Sequence, residues 1–300
     1  MRKQLLAISS IALLMLASCA KDNLNSEAQL PISFDTKVKK ASITTGASTT
    51  WSVGDKIGIF MIDNGTTTVS EGSNNREYVT ANGTTFSPTS GQALYYPVSD
   101  SKVDFISYYP YNSSITALGN YAVDVSSQSN LAAIDLLWVK SNNAGTGFNK
   151  TAGSNVPLNF DHKLSKLVIL TNAGSGLDNN SLNWKNMAIS IQGLNTKADF
   201  DLATGVLNNS NTKMNVSPFT TVGGTKYESI VLPATFAQAG DLKITFTIGT
   251  DTYVWTAQAG EQFEAGKEYT YSINIAKTAV VLDNVNIVDW VTVSRAGEAR

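Results

Sequence analysis

The sequence contains one histidine, His162, and its neighbours are of the types that a serine hydrolase uses. Asp161 precedes it, and Ser165 follows three residues later. On an extended strand successive side chains point to opposite faces, so Asp161 and Ser165 share one face and His162 lies on the other. A catalytic triad needs its histidine between the two partners in space. We therefore predict a structural histidine and no catalytic residue.

Other chemistry has little support in residue type and spacing. Asp199 and Asp201 come closest to a calcium loop, and the repeated aspartates of such a loop are missing. Gly54 and Gly58 suggest a phosphate loop only superficially, because no helix pattern follows them; we interpret them as strand glycines beside a closely passing chain. No motif positions two of the 24 acidic residues as a glycosidase pair. We predict no metal and no cofactor, and an enzyme is the least favoured hypothesis.

A group of tyrosines could bind a ligand through its rings. Tyr108, Tyr109 and Tyr111 lie within one short segment beside a predicted strand. Aromatic rings stack on sugars, but tyrosines also pack on half-buried sheet surfaces in β-sandwiches. A ligand platform and packing are both open at these positions, and packing is favoured.

The only cysteine, Cys19, lies at the end of an N-terminal secretion signal. Residues 1–18 combine a basic start with an apolar run that is too short to span a membrane. The motif Leu16-Ala17-Ser18-Cys19 resembles a bacterial lipobox, in which the cysteine thiol accepts a diacylglycerol. We predict a lipoprotein signal peptide over 1–18, lipid on Cys19 and a polar tether over 19–29. The alternative is an ordinary secretory signal followed by a chance cysteine.

Composition excludes nucleic acid as a partner and favours β-structure. Removal of residues 1–18 leaves 282 residues, with 20 basic against 24 acidic side chains and a formal charge of −4. An acidic chain with 15% charged residues has little to neutralise a run of phosphates. Abundant Thr, Ser, Asn and Gly with recurring aromatic residues are typical of extracellular β-sandwiches.

Short apolar runs separated by turn residues predict strands along the whole mature chain. The run Lys56–Ile62 ends at Asn64-Gly65, which favours a tight hairpin turn. Leu242–Ile248 alternates apolar and polar residues, as a strand with one buried face does. The fold class is therefore all-β.

A segment without any pattern, 142–154, is rich in Gly, Asn, Ser and Thr, and we place a domain boundary there. This predicts an N-terminal β-sandwich domain over 30–154 and a C-terminal one over 155–300. The two halves show no repeat at the level of individual residues.

Three motifs in order resemble the fimbrillin family of Bacteroidales, which are the lipoprotein subunits of type V pili. They are Trp51-Ser-Val-Gly-Asp-Lys-Ile-Gly-Ile-Phe60, Leu158-Asn-Phe-Asp-His-Lys-Leu-Ser-Lys-Leu167 and Ile287-Val-Asp-Trp290. The resemblance implies two tandem transthyretin-like, Greek-key β-sandwich domains. It also implies export as a lipoprotein to the cell outer membrane, removal of the first strand by a processing protease, and assembly with other pilus subunits into a fimbrium.

Under this resemblance the strand to be removed is about Leu30–Phe34, and the cut falls in the basic loop that follows. The candidate cleavage residues are Lys37, Lys39 and Lys40. A sandwich that loses a strand exposes unpaired backbone groups beside an apolar groove, and another chain can add a strand there. The donor strand would lie within 280–293. Its alternating apolar residues are Val285, Ile287, Val291 and Val293.

The sequence thus predicts a structural pilus subunit that is assembled by strand exchange and supports adhesion or biofilm formation. The alternative is a monomeric surface lipoprotein, or a pilus tip or accessory protein, that binds a glycan or a host ligand. The first hypothesis requires a removable first strand and multimers. The second requires an intact first strand and saturable ligand binding.

Overall fold

The computed structural model describes residues 32–38, 51–151, 153, 155–209 and 211–290, and almost all of its regular structure is β-strand. The strands up to the middle of the chain are β1 (Ser33–Val38), β2 (Lys56–Asp63), β3 (Arg76–Thr80), β4 (Phe86–Pro88), β5 (Val103–Tyr109), β6 (Asn120–Asp124), β7 (Leu137–Ser141) and β8 (Asn155–His162).

The strands of the second half continue the same pattern. They are β9 (Ser165–Ala173), β10 (Ala188–Gln192), β11 (Lys197–Asp201), β12 (Val206–Asn209), β13 (Phe219–Val222), β14 (Lys226–Val231), β15 (Ala234–Phe236), β16 (Lys243–Ile248), β17 (Asp251–Thr256), β18 (Glu261–Phe263), β19 (Lys267–Ala276) and β20 (Ala279–Asp289). Helical structure in the described residues is one turn of α-helix, α1 (Leu182–Lys185), and two 3-10 turns at Leu131–Ala133 and Asn143–Gly145. None of these helices is long or apolar enough to cross a bilayer. The predicted all-β class is confirmed.

The first sheet has seven strands in the order β1-β8-β7-β5-β2-β3-β4. Its central strands β2 and β5 are buried on both faces, as their nearly continuous apolar sequences require. The sheet curls until its two edges approach each other: the Phe34 ring of β1 lies 5.2 Å from Tyr78 of β3 and 5.4 Å from Phe105 of β5. The curled sheet encloses a group of apolar residues, the N-terminal core, that includes Ile32 and Phe34.

A second group, the C-terminal core, lies between sheets of the second half. The five-stranded sheet β13-β14-β9-β19-β20 packs on the sheet β10-β16-β17 and on the pair β15-β18. The alternation predicted for Leu242–Ile248 is confirmed, since Leu242, Ile244, Phe246 and Ile248 are all buried in this core. Alternation in β19 likewise buries every second residue.

A third group, the middle core, joins the two halves. The sheet β12-β11-β6 takes β6 from the first half and the other two strands from the second. It covers the outer face of the first sheet, where Phe60, Ile106 and Tyr108 meet Phe200. Trp290, at the end of the described chain, is also in this group. Both faces of β2 and β5 are therefore buried because a sheet made of strands from both halves covers the second face.

The strand order departs from the predicted boundary at residue 154. Strand β8 begins at Asn155 but pairs with β1 and β7, and its inward side chains belong to the N-terminal core. The first sheet therefore extends to His162, eight residues beyond 154. The loop at 142–154 lies within the first sheet, where it connects β7 to β8. The division of the chain into two sandwich domains stays a prediction.

Candidate functional site: the two terminal strands

The first strand fills a slot in the N-terminal core. Six residue pairs join β1 in parallel to β8, from Ser33 with Asn155 to Val38 with Phe160. Ile32 and Phe34 point inward and are buried, whereas the side chains of Asp35 and Lys37 are exposed. Burial of a side chain such as Phe or Ile contributes about 1.5–3 kcal/mol, so β1 holds its position mainly through these two residues and the ladder.

The walls of this slot are apolar and come from both edges of the curled sheet. On the β8 side, Val156, Leu158 and Phe160 are almost fully buried. On the opposite side, the Thr36 hydroxyl donates to the Thr84 carbonyl 3.4 Å away, just before β4. Without β1, the β8 edge would present unpaired N–H and C=O groups beside apolar side chains.

The predicted first strand and the observed one overlap but do not coincide. The sequence predicts Leu30–Phe34, whereas the ladder runs over Ser33–Val38, because pairing with β8 rather than apolar content sets the strand. Lys37 is therefore a strand residue opposite Asn159 and not a loop residue. Lys39 and Lys40 lie outside the described residues, as do Cys19, the signal peptide 1–18 and the tether 19–29.

The Trp-Ser-Val-Gly-Asp motif closes one end of the N-terminal core. The Trp51 ring meets Phe86 at 4.9 Å and Phe160 at 5.5 Å between centroids. Asp55 accepts from the Ser52 N–H at 2.8 Å, which fixes the turn that leads into β2. A side chain at Gly58 would collide with the Tyr108 ring, so close passage of another segment explains that glycine as predicted. The prediction is wrong for Gly54, which lies in the turn before β2 with a φ of +89°, and where a Cβ would meet no atom within 4 Å.

The last described strand, β20, is more exposed to solvent than β1. β20 pairs antiparallel with β19 and forms an edge of the five-stranded sheet, with a bulge at Asp283. Val285 packs partly on the C-terminal core, but Ile287, on the same face, is 54% exposed. Val291 and Val293 lie outside the described residues. At the strand's end Asp289 binds the Lys267 ammonium, and this hydrogen bond raises the pKa of Lys267.

Trp290, directly after β20, is buried against the end of β8. Its ring stacks on the imidazole of His162, with centroids 3.8 Å apart and planes at 9°. Its backbone N–H donates to the Gly266 carbonyl at 2.7 Å. His162 Nδ1 lies 2.8 Å from the Asp135 carboxylate, and both side chains are 1% exposed. The two family motifs that contain His162 and Trp290 therefore meet in the middle core.

The structure does not assemble a triad around His162. Its carboxylate partner is Asp135 rather than the neighbouring Asp161, whose side chain is exposed. The Ser165 hydroxyl donates to the Glu264 carbonyl, away from the imidazole. Asp135 could not be identified from the sequence, because it lies 27 residues from His162 and shares no motif with it.

The tyrosines predicted as a possible ligand platform are core residues. Tyr108 is fully buried and Tyr109 nearly so, and Tyr111 is half-buried. The Tyr108 hydroxyl donates to the Asn75 side chain at 2.7 Å, and the Tyr109 hydroxyl donates to Asp55 at 3.2 Å. Burial raises the pKa of both phenols. Tyr108 and Tyr109 cannot present a stacking surface to a ligand, so the packing interpretation is the one that fits.

The acidic residues considered for calcium have local roles. Asp201 accepts from the Ala203 N–H and the Thr204 hydroxyl, both at 2.8 Å, and so closes the turn after β11. Asp199 is exposed on the same strand. In the parts of the chain that the structure describes, no cluster of three or more His, Cys, Asp or Glu side chains could hold a metal ion.

The sequence also gave no sign of a buried ionic network on the five-stranded sheet. The Lys166 ammonium of β9 lies 3.1 Å from the carboxylates of both Glu228 of β14 and Glu268 of β19. The Lys226 ammonium lies 2.8 Å from the Glu228 carboxylate. Lys166 and Glu228 are buried. Removal of one member of such a network typically costs about 3–5 kcal/mol, because it leaves an uncompensated charge. These residues tie together the strands that carry β20.

Comparison with known proteins places this architecture in a class of bacterial surface proteins with fimbrial β-sandwich folds. The crystal structure of a Bacteroides uniformis protein, described as a cell adhesion protein, is 31% identical with a TM-score of 0.70, over 88% of this chain and 99% of that one. The tip fimbrial protein Mfa3 of Porphyromonas gingivalis shares the fold at 10% identity, with a TM-score of 0.53 over 87% and 100% of the chains.

The family follows from the sequence match. The model of the fimbrillin-like family matches residues 41–290, so the chain belongs to that family. A Bacteroides uniformis protein described as fimbrium subunit Fim1C is similar along its whole length. It is 33% identical over an alignment of 315 positions, covering 99% of this chain and 98% of that protein. The resemblance drawn from the three sequence motifs is confirmed.

Proposed function

We propose that this protein is a structural subunit of a cell-surface fimbrium and that it assembles by strand exchange. The supporting observation is the position of β1. This edge strand fills an apolar slot, and it is joined to the rest of the chain through the segment that contains Lys39 and Lys40. The fimbrium subunit and the cell adhesion protein to which the chain is similar support a role in a fimbrium. Adhesion or biofilm formation is the outcome that we propose for it.

Loss of β1 converts a closed core into an acceptor. The β8 edge would then offer unpaired backbone groups, and the pockets left by Ile32 and Phe34 would accept apolar side chains at alternate positions of an added strand. A strand from a second subunit can satisfy both requirements. Assembly by this route requires no catalytic residue in the subunit.

Lys39 and Lys40 are the preferred cleavage residues in this proposal. A protease binds its substrate as an extended, unpaired segment, whereas the backbone at Lys37 lies in the ladder with β8. Cleavage after β1 separates the strand from the rest of the chain without cutting through it. The cellular protease must accept lysine, because no arginine lies between Arg2 and Arg76.

The donor in this proposal is the segment 280–293. β20 is an edge strand that contributes partly exposed side chains to its own sheet, so it can leave at moderate cost. Lipid on Cys19 would hold the unprocessed subunit at the outer membrane, and cleavage after β1 would separate the subunit from that anchor.

Intact mass and N-terminal sequencing of protein released from the surface of its native cells test the proposal. We expect a new N-terminus close to Ala41, together with a ladder of multimers on unheated denaturing gels. A chain that begins at acylated Cys19 and runs as a single monomer band would overturn the strand-exchange proposal. In that case the alternative of an anchored tip, accessory or ligand-binding lipoprotein would be favoured.

A further inference from the structure

Trp290 is the one described residue of the proposed donor segment that is buried. It is 4% exposed, whereas every described side chain of β20 is exposed or half-buried. β20 is the outermost strand of its sheet, so one of its two hydrogen-bonding edges has no neighbouring strand in the described structure. Release of β20 therefore requires that Trp290 leaves the middle core.

The contact that holds Trp290 is formed by the last residue of β8. The imidazole of His162 lies flat against the indole, and the Asp135 carboxylate contacts the imidazole at its Nδ1 edge, 2.8 Å away. The Gly266 carbonyl accepts from the Trp290 N–H, and the Gly266 N–H donates to the Leu164 carbonyl at 2.8 Å. The position of the indole thus depends on where the end of β8 lies.

β8 in turn depends on β1. Six residue pairs join β8 to β1, but only two join it to β7, namely His162 with Leu137 and Asp161 with Trp138. Beyond these pairs, the Ser141 hydroxyl donates to the Pro157 carbonyl at 2.7 Å. If β1 leaves, residues 155–160 lose their ladder partner, and the end of β8 keeps its two ladder pairs at Asp161 and His162 together with the bond from the Lys163 N–H to the Leu136 carbonyl at 2.9 Å.

We propose that the Trp290–His162 stack couples the loss of β1 to the release of β20. While β1 is in place, β8 is held along its length, and His162 keeps Trp290 and the donor strand in their own subunit. When β1 is lost, β8 loosens, the stack weakens, and β20 becomes available to a second copy of this chain. The coupling rests on the strand exchange proposed above and determines its order: a subunit offers its donor strand only after processing.

Hydrogen exchange followed by mass spectrometry tests the coupling on the full mature chain. A recognition sequence for a site-specific protease replaces residues 41–46, and the cut protein is separated from the β1 fragment. We expect the amides of β20 to exchange at least about tenfold faster after β1 is lost, because a strand that opens locally exchanges with the population of the open form. The amides of β16, which does not contact β8, serve as an internal reference and should not change.

Substitution of Trp290 provides an independent readout without cleavage. In the uncut chain, Trp290→Ala should accelerate exchange in β20 about as much as loss of β1 does, whereas Trp290→Phe keeps a ring on His162 and should stay near the wild-type rate. The effect of cleavage on β20 should be small in Trp290→Ala, because the contact that transmits it is already absent. Equal exchange rates in the Ala and Phe variants would overturn the coupling.

The coupling and the strand exchange can fail separately. If β8 exchanges faster after β1 is lost while β20 does not change, the coupling is overturned, even when the same sample forms multimers. If β20 is released after cleavage but no multimers form at high protein concentration, the coupling is supported and the proposed assembly is overturned.

Discussion

The first and last described strands are both sheet edges, yet they contribute to the fold in opposite ways. β1 and the residue before it place two buried apolar side chains, Phe34 and Ile32, in the N-terminal core, and β1 pairs with a single strand. β20 is nearly twice as long, with 11 residues against 6, but its side chains are exposed or half-buried. The difference teaches that the number of ladder pairs does not decide which strand a core depends on.

Under the proposed strand exchange, this contrast gives the two strands different roles in assembly. Departure of β1 opens an apolar slot that must be refilled, so β1 marks the acceptor. Departure of β20 exposes one edge of the C-terminal core, and Trp290 is the only described residue of the donor segment that leaves a buried position. β20 is therefore suited to be the donor. Each experiment below breaks or sharpens this contrast.

The largest expected effect comes from fixing the donor strand in place. Thr270 and Asn286 are opposite each other on β19 and β20, so a cysteine pair at these positions can be oxidised to a disulfide. We expect the oxidised, processed protein to form no multimers, and reduction to restore them. A cysteine pair at Ala188 and Thr247, which joins β10 to β16, is the matched control and should not affect assembly. Normal multimers of the first variant under oxidising conditions would exclude β20 as the donor.

The next effect concerns the strand that fills the slot. Phe34→Ala should lower the free energy of unfolding of the uncut chain by about 3–5 kcal/mol, because it leaves a cavity among Tyr78 and Phe105. Denaturant titration measures this loss, and Asp35→Ala, at an exposed position of the same strand, should stay within about 0.5 kcal/mol.

The same variant distinguishes the uncut from the processed protein. Once β1 has left, position 34 is no longer in the subunit, so multimers of Phe34→Ala should be as stable as those of the wild type. A parallel loss of multimer stability would show that β1 remains in the assembled protein.

A smaller effect is expected at Ile287, where substitution should lower the stability of the multimer and leave that of the monomer almost unchanged. This side chain is 54% exposed in its own subunit, so Ile287→Ala should change monomer stability by no more than about 0.5 kcal/mol. In a neighbour's slot it would be buried, and the multimer should lose about 2 kcal/mol or more per contact. Heat or denaturant dissociation of multimers measures this, with Asn286→Ala on the other face as the control. Equal, small effects of both variants would place Ile287 outside the slot.

The smallest effect is a dependence of the N-terminal core on alkaline pH. Burial raises the pKa of Tyr96 to about 12, against about 10 for a tyrosine in an unfolded chain. The folded state therefore favours the neutral phenol, and the stability this gives is complete below pH 10 and lost as the pH rises towards 12. We expect a decline of roughly 1 kcal/mol per pH unit in that interval from this group. Tyr96→Phe should reduce the slope; an unchanged slope would contradict this origin.

Local patterns in the sequence were enough to predict the fold class. Burial of one face gives the alternation in Leu242–Ile248, and burial of both faces gives the apolar run of β2. Neighbouring residues along the chain are therefore enough to predict both strands. The family motifs predicted that Trp51, His162 and Trp290 matter. They could not predict that the last two touch, because they lie 128 positions apart, His162 at the end of β8 and Trp290 directly after β20.

The features that local patterns do not predict have a shared physical cause, which is pairing between distant segments. The boundary at 154 was inferred from a flexible composition, but the loop there connects two strands of one sheet. The limits of β1 follow from its partner β8, which lies more than 100 residues further along the chain. Tyr108 could have been exposed on an ordinary sheet face, but the sheet that covers this face is assembled from both halves of the chain.

The parallel ladder between β1 and β8 also bears on how a filament of such subunits would carry mechanical load. A strand that occupies this slot as β1 does would lie along its neighbour over six residue pairs. Tension applied along the strand acts on all of these pairs together, in shear, whereas peeling from one end would break them singly. Rupture under force depends on the rate of that collective event rather than on equilibrium stability. If subunits are joined by strand exchange as proposed, a joint of this geometry would let a thin fibre withstand flow, because the load would be spread over the length of the exchanged strand.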